Sequence, residues 1–249
     1  MKKIALVFYG LLRNVDATYP YWKNNVIDPL HIEDIYVHTY RDEIESVKVN
    51  NTGTFSFKVG PSVLTEFYKL YKPSVVMHSD YDDVKKTPYW FEPTERVRFC
   101  LTQTYSPQAI YFSMYNAVNL VPEGKYDYVI LSKVDQIFLR QLKEEEINPE
   151  DDEIYTSNFM HYKDWDGQYW SVTDFFAIGN LKTIKKYASV GINYKKIYDS
   201  GVTFHVETTI GENLKNQGVK TNPHFIYPDE QHYFRDHESL MIEINNRNK

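Results

Sequence analysis

A single cysteine, Cys100, stands among 249 residues, so the chain has no internal disulfide and no thiolate metal cluster. Cationic excess is also missing: 28 Lys and Arg against 34 Asp and Glu give a net charge of −6. No basic stretch is concentrated anywhere, which argues against nucleic acid or an anionic membrane as a partner. Long apolar runs are absent too. Ile4 to Leu12 covers about nine residues, and a spanning helix needs about 20. Lys2-Lys3 ahead of that run mimics a secretion signal, but Arg13, Asn14 and Asp16 follow in place of a small-residue cleavage site. Ile4 to Tyr9 is therefore read as a first buried strand, with no transmembrane segment and a cytoplasmic location expected. Neither a P-loop nor a G-x-G-x-x-G fingerprint occurs, and no internal repeat or low-complexity tract is visible.

Aromatic side chains are abundant: 22 Tyr, 14 Phe and 4 Trp. Tyr and Trp pair a flat apolar face with a polar tip, which suits sugars and nucleobases as well as ordinary packing. The stretch Tyr126 to Phe138 organises the chain. Tyr128 to Leu131 is an uncharged run of β-formers that reads as a strand buried on both faces. Lys133 and Asp135 follow it at alternate positions. In an α/β sheet such residues stand at the carboxyl edge, where ligands bind. A carboxylate there either caps a turn or holds a divalent cation against a diphosphate.

Other segments follow in order. Gly10-Leu11-Leu12-Arg13 leaves the first strand, with Gly10 permitting close approach of backbone to a ligand and Arg13 able to meet a phosphate. Thr18 to Val26 is expected as a helix and Asp34 to Tyr40 as the second strand. Val47 to Val59 alternates like a hairpin around Asn50-Asn51-Thr52-Gly53. Pro61 to Tyr71 reads as a helix, Val75 to His78 as a third strand, and Ser79 to Pro93 as a surface loop. Thr94 to Val121 is helical with Pro107 splitting it. Ile110, Met114, Ala117, Val118 and Val121 form its buried stripe, and Ser113 and Asn116 fall off it, either solvated or meeting a nucleotide. Leu139 to Pro149 reads as a surface connection and Glu153 to Ser157 as a strand. Asn158 to Ser171, holding Trp165, Tyr169 and Trp170, is either a sugar-binding rim or a small satellite core. Ser171 to Asn180 is expected as a strand with Asp174 near its start, followed by a helix from Leu181. Glu207 opens a last helix that runs to Gln217 and stops at Gly218. Pro223 to Tyr227 reads as an edge strand, and His224, His232 and His237 lie in the tail.

The order of Lys3 to Arg13, Asp34 to Tyr40, Tyr126 to Phe138, Thr173 to Gly179 and then Glu207 resembles the small GT-A-type glycosyltransferases of bacterial surface-polysaccharide loci and large DNA viruses and phages. The resemblance covers nearly the whole chain through short motifs. It implies a single GT-A-like α/β domain over 1–249, with a mostly parallel, Rossmann-like central sheet and helices on both faces. Residues 1–138 would form the nucleotide-sugar half and 139–249 the acceptor half. In that family a "(D/R)-x-D" segment meets the donor diphosphate, usually through Mn²⁺ or Mg²⁺; here it stands as Lys133-Val134-Asp135. The resemblance thus implies a nucleoside-diphosphate sugar donor and a glycan or other hydroxyl acceptor. Asp135 would be the metal ligand, and Lys133 would share in neutralising phosphate. A divalent ion on a diphosphate recruits one or two protein oxygens plus waters, so Asp135 serves either alone or with a tail histidine such as His224 or His232. Gly10, Arg13, Ser113 and Asn116 would line the nucleotide. Asp174 is the expected catalytic base and Glu207 the second choice, with the stereochemistry of transfer left open.

Two other classes fit parts of the pattern. A sugar nucleotidyltransferase would share the fold but carries a glycine-rich basic loop after the first strand, which Gly10-Leu11-Leu12-Arg13 does not supply. A non-catalytic carbohydrate-binding relative would use the aromatics alone.

Overall fold

A computed structural model describes residues 1–41, 44–48, 54–59, 61–92, 107–157, 162–163, 170–226 and 231–233. The first half of the expected helix from Thr94, together with Cys100, Trp165, Tyr169 and His237, lies outside the described residues.

The elements in chain order are β1 (Ile4–Tyr9), α1 (Val15–Trp22) continued by a π turn (Lys23–Ile27), β2 (Ile35–Tyr40), β3 (Ile44–Lys48), β4 (Thr54–Val59), α2 (Pro61–Tyr71), β5 (Val75–Ser79) and α3 (Tyr81–Lys85). After them come α4 (Pro107–Asn119), β6 (Tyr128–Ser132), β7 (Gln136–Phe138), β8 (Glu153–Ser157), β9 (Tyr162–Lys163), β10 (Trp170–Ser171) and β11 (Phe176–Gly179). The chain continues with α5 (Leu181–Ala188), α6 (Val190–Asp199), α7 (Val206–Asn216), β12 (Lys220–Ile226) and β13 (Gln231–Tyr233).

Seven strands form the main sheet in the order β12-β8-β11-β6-β1-β2-β5. Counted along the chain, these strands lie 3-2-1-4-6-5-7. Six run the same way, and only β11 is reversed, antiparallel to β6 and to β8. The result is a Rossmann-like, mostly parallel α/β sheet. The chain builds outward from β1 through β2 to β5, then returns to add β6 on the other side of β1. In sheets of this kind such a reversal places the ligand crevice at the carboxyl ends of the two strands that flank it, here β1 and β6.

Both faces are covered, which is why every residue of β1 is buried and its sequence is an unbroken apolar run. On one face Ala5, Val7, Val129 and Leu131 pack with Met114, Ala117, Ile184, Tyr194 and Ile210 of α4 to α7. On the other, Leu6, Phe8 and Ile130 pack with Trp22, Val26, Phe67 and Tyr71 of α1, the π turn and α2. Trp22 is the keystone there. Its ring stands edge-on to Phe8 at 4.8 Å and to Phe138 at 5.2 Å.

Several boundaries differ from the pattern-based expectation. The first helix begins at Val15 rather than Thr18 and passes into a π turn at Lys23. The segment after β5 contains α3, whose first turn is closed by Asp80 N–H donating to Asp83 Oδ2 and Asp83 N–H donating to the Asp80 carbonyl, each at 2.9 Å. The stretch from Leu181 is two helices, broken at Ser189. The edge strand β12 starts three residues before Pro223. The expected Ser171 to Asn180 strand is interrupted: Val172 to Phe175 is a turn, and Asp174 sits in it. Two contacts impose that turn. Phe175 N–H donates to Thr173 Oγ1 at 3.2 Å, and Tyr187 O–H donates to the Thr173 carbonyl at 2.6 Å.

Candidate active site

Three loops and one helix start meet at the carboxyl edge of β6. The loop after β1 begins at Gly10, whose φ of +85° is the left-handed conformation that glycine adopts without strain. Its N–H donates to Ser113 Oγ at 2.7 Å, tying the loop to α4. Three residues on, Arg13 Nη2 lies 2.5 Å from Asp135 Oδ2. This ion pair spans the boundary between the β1 and β6 loops.

The loop after β6 is held from both faces. Trp22 Nε1 donates to the Val134 carbonyl at 2.9 Å. On the other side, Ser132 Oγ and Lys133 N–H donate to the Phe175 carbonyl at 2.9 and 3.2 Å. The antiparallel register of β11 against β6, with Phe176 opposite Ser132, sets the turn before β11 next to this loop. Lys133 Nζ therefore pairs with Asp174 Oδ2 and lies 4.8 Å from the centre of the Phe175 ring. Here the ammonium gains a carboxylate and an aromatic face together.

The start of α7 closes the group. Val172 N–H donates to the Glu207 carbonyl at 3.0 Å, joining the turn to the helix. Glu207 Oε2 is 3.2 Å from His205 Nε2, and His205 Nδ1 is 3.3 Å from Thr208 Oγ1. Burial, and then the charge of Asp174, raise the Glu207 carboxyl to about 7, against the opposing pull of Lys133. Burial, then Asp174 and Glu207, likewise push the Tyr187 phenol well above its ordinary value.

Arg13, Lys133, Asp135, Asp174 and Glu207, expected from sequence as site residues, are thus gathered at one edge. Ser113 is not on a solvated face. It is fully buried, accepting from Gly10 N–H and contacting His38 Nδ1 at 2.7 Å and the His38 carbonyl at 3.1 Å. With His38 Nδ1 as donor, Ser113 accepts two bonds and donates one, and Ser79 O–H donates to His38 Nε2 at 3.0 Å. Asn116 bonds the Phe112 carbonyl one turn back in its own helix at 2.9 Å. Trp22, His38, Tyr187 and His205 escaped the sequence reading. Only His205, two residues before an acid that opens a helix, carried a local signal.

No three His, Cys, Asp or Glu side chains are gathered as a metal shell among the described residues. Of the expected metal ligands, Asp135 carries a guanidinium on one oxygen. His232 lies opposite Ile137 in the β13–β7 backbone register, and His224 falls within β12. No helix among the described residues is long and apolar enough to cross a membrane. The chain matches no protein-family model, and no curated protein matches it significantly.

Proposed function

We propose that the protein is a glycosyltransferase of GT-A type that moves a sugar from a nucleoside-diphosphate sugar to a hydroxyl acceptor, such as a glycan. One observation supports this above the others: Arg13–Asp135 and Lys133–Asp174 flank the chain-reversal crevice, with Glu207 beside them. Sheets of this kind bind their ligands in that crevice. The reaction needs two things there, charge compensation for a departing diphosphate and a proton acceptor for the incoming hydroxyl.

Arg13 and Lys133 suit the first task. Glu207 suits the second better than Asp174, because Asp174 is tied to Lys133. A carboxyl poised near 7 is half ionised at neutral pH and able to take a proton. In the proposed step the acceptor oxygen forms a bond to the anomeric carbon and passes its proton to Glu207. The bond from that carbon to the diphosphate oxygen breaks, and the nucleoside diphosphate leaves with the electron pair. The developing oxocarbenium character resembles that of glycoside hydrolysis.

The test is to incubate the full chain with a panel of uridine, guanosine, cytidine and thymidine diphosphate sugars and to measure nucleoside diphosphate release. Release with one of them, stimulated by a glycan acceptor, is the expected result. Sugar binding without release from any donor would instead favour a carbohydrate-binding protein.

A further inference from the structure

The two ion pairs at the crevice share an order of burial. In each, the carboxylate is the inner member and the cation the outer one. Side-chain exposure is 1% for Asp135 against 18% for Arg13, and 3% for Asp174 against 11% for Lys133. The second oxygens, Asp135 Oδ1 and Asp174 Oδ1, are sealed from solvent and accept no hydrogen bond from the described residues. A divalent cation entering from the crevice would meet a guanidinium and an ammonium before it reached either carboxylate. Two unit like charges about 4 Å apart repel by about 1 kcal/mol even in water, a divalent ion by about twice that, and both by more as the site dries. An anion entering the same way meets the two cations first.

From this order we infer that the crevice takes a diphosphate directly on Arg13 and Lys133, without a divalent metal on Asp135. Asp135 and Asp174 are then counter-ions that hold the two cations in place. The inference rests on the donor proposed above and departs from the metal-assisted scheme that the sequence resemblance implies.

The chemistry of the two cations suits the task. Arg presents a planar fork to phosphate oxygens, and Lys acts as a compact charge. A buried carboxylate behind each fixes its position before the ligand arrives, so little side-chain freedom is lost on binding. The start of α1, two residues past Arg13, adds the positive end of a helix dipole at the same edge.

The test uses inorganic pyrophosphate as the probe, titrated calorimetrically into the full chain. It is run once in EDTA and once with Mg²⁺ equimolar to the pyrophosphate. Affinity within about twofold between the two conditions, and falling as salt rises, is the expected outcome. Arg13→Ala and Lys133→Ala should each weaken binding roughly tenfold or more, the scale of one charge-assisted contact. The charge-keeping variants Arg13→Lys and Lys133→Arg should recover part of it and guard against misfolding as the cause. Binding that appears only with Mg²⁺, or that is lost in His232→Ala and kept in Arg13→Ala, would overturn the inference, as would no binding in either condition. The wider reading fails separately. Metal-free pyrophosphate binding with no turnover of any nucleotide sugar would keep this site and sink the transferase. Turnover strictly dependent on Mn²⁺ would do the reverse.

Discussion

Trp22 and Val134 are 112 residues apart in the chain, and the indole N–H of one donates to the carbonyl of the other at 2.9 Å. Val134 lies between Lys133 and Asp135, so a fully buried core residue of α1 fixes the loop that carries both. Trp22→Phe should keep the ring's packing in part but leave that carbonyl without its donor. A loss of about 1–3 kcal/mol is expected by denaturant unfolding. Pyrophosphate affinity should fall as well, because both cations depend on the loop's path. Unchanged affinity in a destabilised variant would mean the loop is set by Phe175 alone.

Ser113 serves the fold. Ser113→Ala removes the acceptor for Gly10 N–H and the hydroxyl partner of the buried His38 ring. Stability should drop by roughly 2–3 kcal/mol, the cost of stranding buried donors. Were Ser113 a nucleotide contact, the melting temperature would hold and nucleotide affinity alone would fall.

His38 gives the protein an acid limit. Burial, then the neighbouring His78, lower its pKa from 6.5 to about 3. The unfolded chain therefore binds this proton more readily, and stability should decline as pH falls from about 6.5 towards 3. His38→Gln, unable to ionise, should flatten that decline in pH-dependent melting even if it is less stable at pH 7.

Glu207 acts with the opposite sign. Its folded pKa is raised from 4.5 to about 7, so its contribution is full below 4.5 and is lost as pH rises through 7. Asp174, Lys133 and His205 surround it, so only the Glu207→Gln comparison isolates its share. That variant should gain melting temperature relative to the parent at pH 8 and show little gain at pH 4.5. If Glu207 is the base, transfer should fall in the same variant by about two to four powers of ten with donor affinity kept. Asp174→Asn should instead weaken pyrophosphate binding, through the loss of Lys133's counter-ion.

Gly191 of α6 packs directly against α4. A Cβ there would lie 2.6 Å from the Tyr111 carbonyl oxygen and 2.6 Å from Tyr115 Cβ. Ala normally improves a helix over Gly by about 1 kcal/mol. Here backbone blocks the way, and overpacking of about 1–3 kcal/mol should win. Gly191→Ala should lower the melting temperature; a rise would show that the two helices separate easily.

The central strands of the sheet were legible because they are buried on both faces. Ile4 to Tyr9 and Tyr128 to Leu131 are apolar at every position, and short runs rich in β-branched and aromatic residues suit a buried strand better than a helix. Arg13, Lys133 and Asp135 were legible as residues that follow those strands. Their pairing was not. Arg13 finds Asp135 only because β6 returns beside β1, and Lys133 finds Asp174 only because β11 enters reversed. The turn at Asp174 was hidden for a similar reason, since Tyr187 imposes it from a helix further along the chain. Ser113 misled because it faces a polar ring inside the protein, and helical periodicity counts only apolar faces.

On the proposed function, the reversal of β11 bears on how the substrate can change. Strands β1 and β6 supply residues from their carboxyl ends, whereas β11 supplies Asp174 from the turn before it begins. Sequence exchanged between the end of β8 and the start of β11 therefore enters and leaves at the crevice. It need not alter the register of β11 on β6 or on β8. On that reading, variation of the acceptor side is accommodated between Ser157 and Ser171, ahead of the Val172 to Phe175 turn that holds the Lys133 loop.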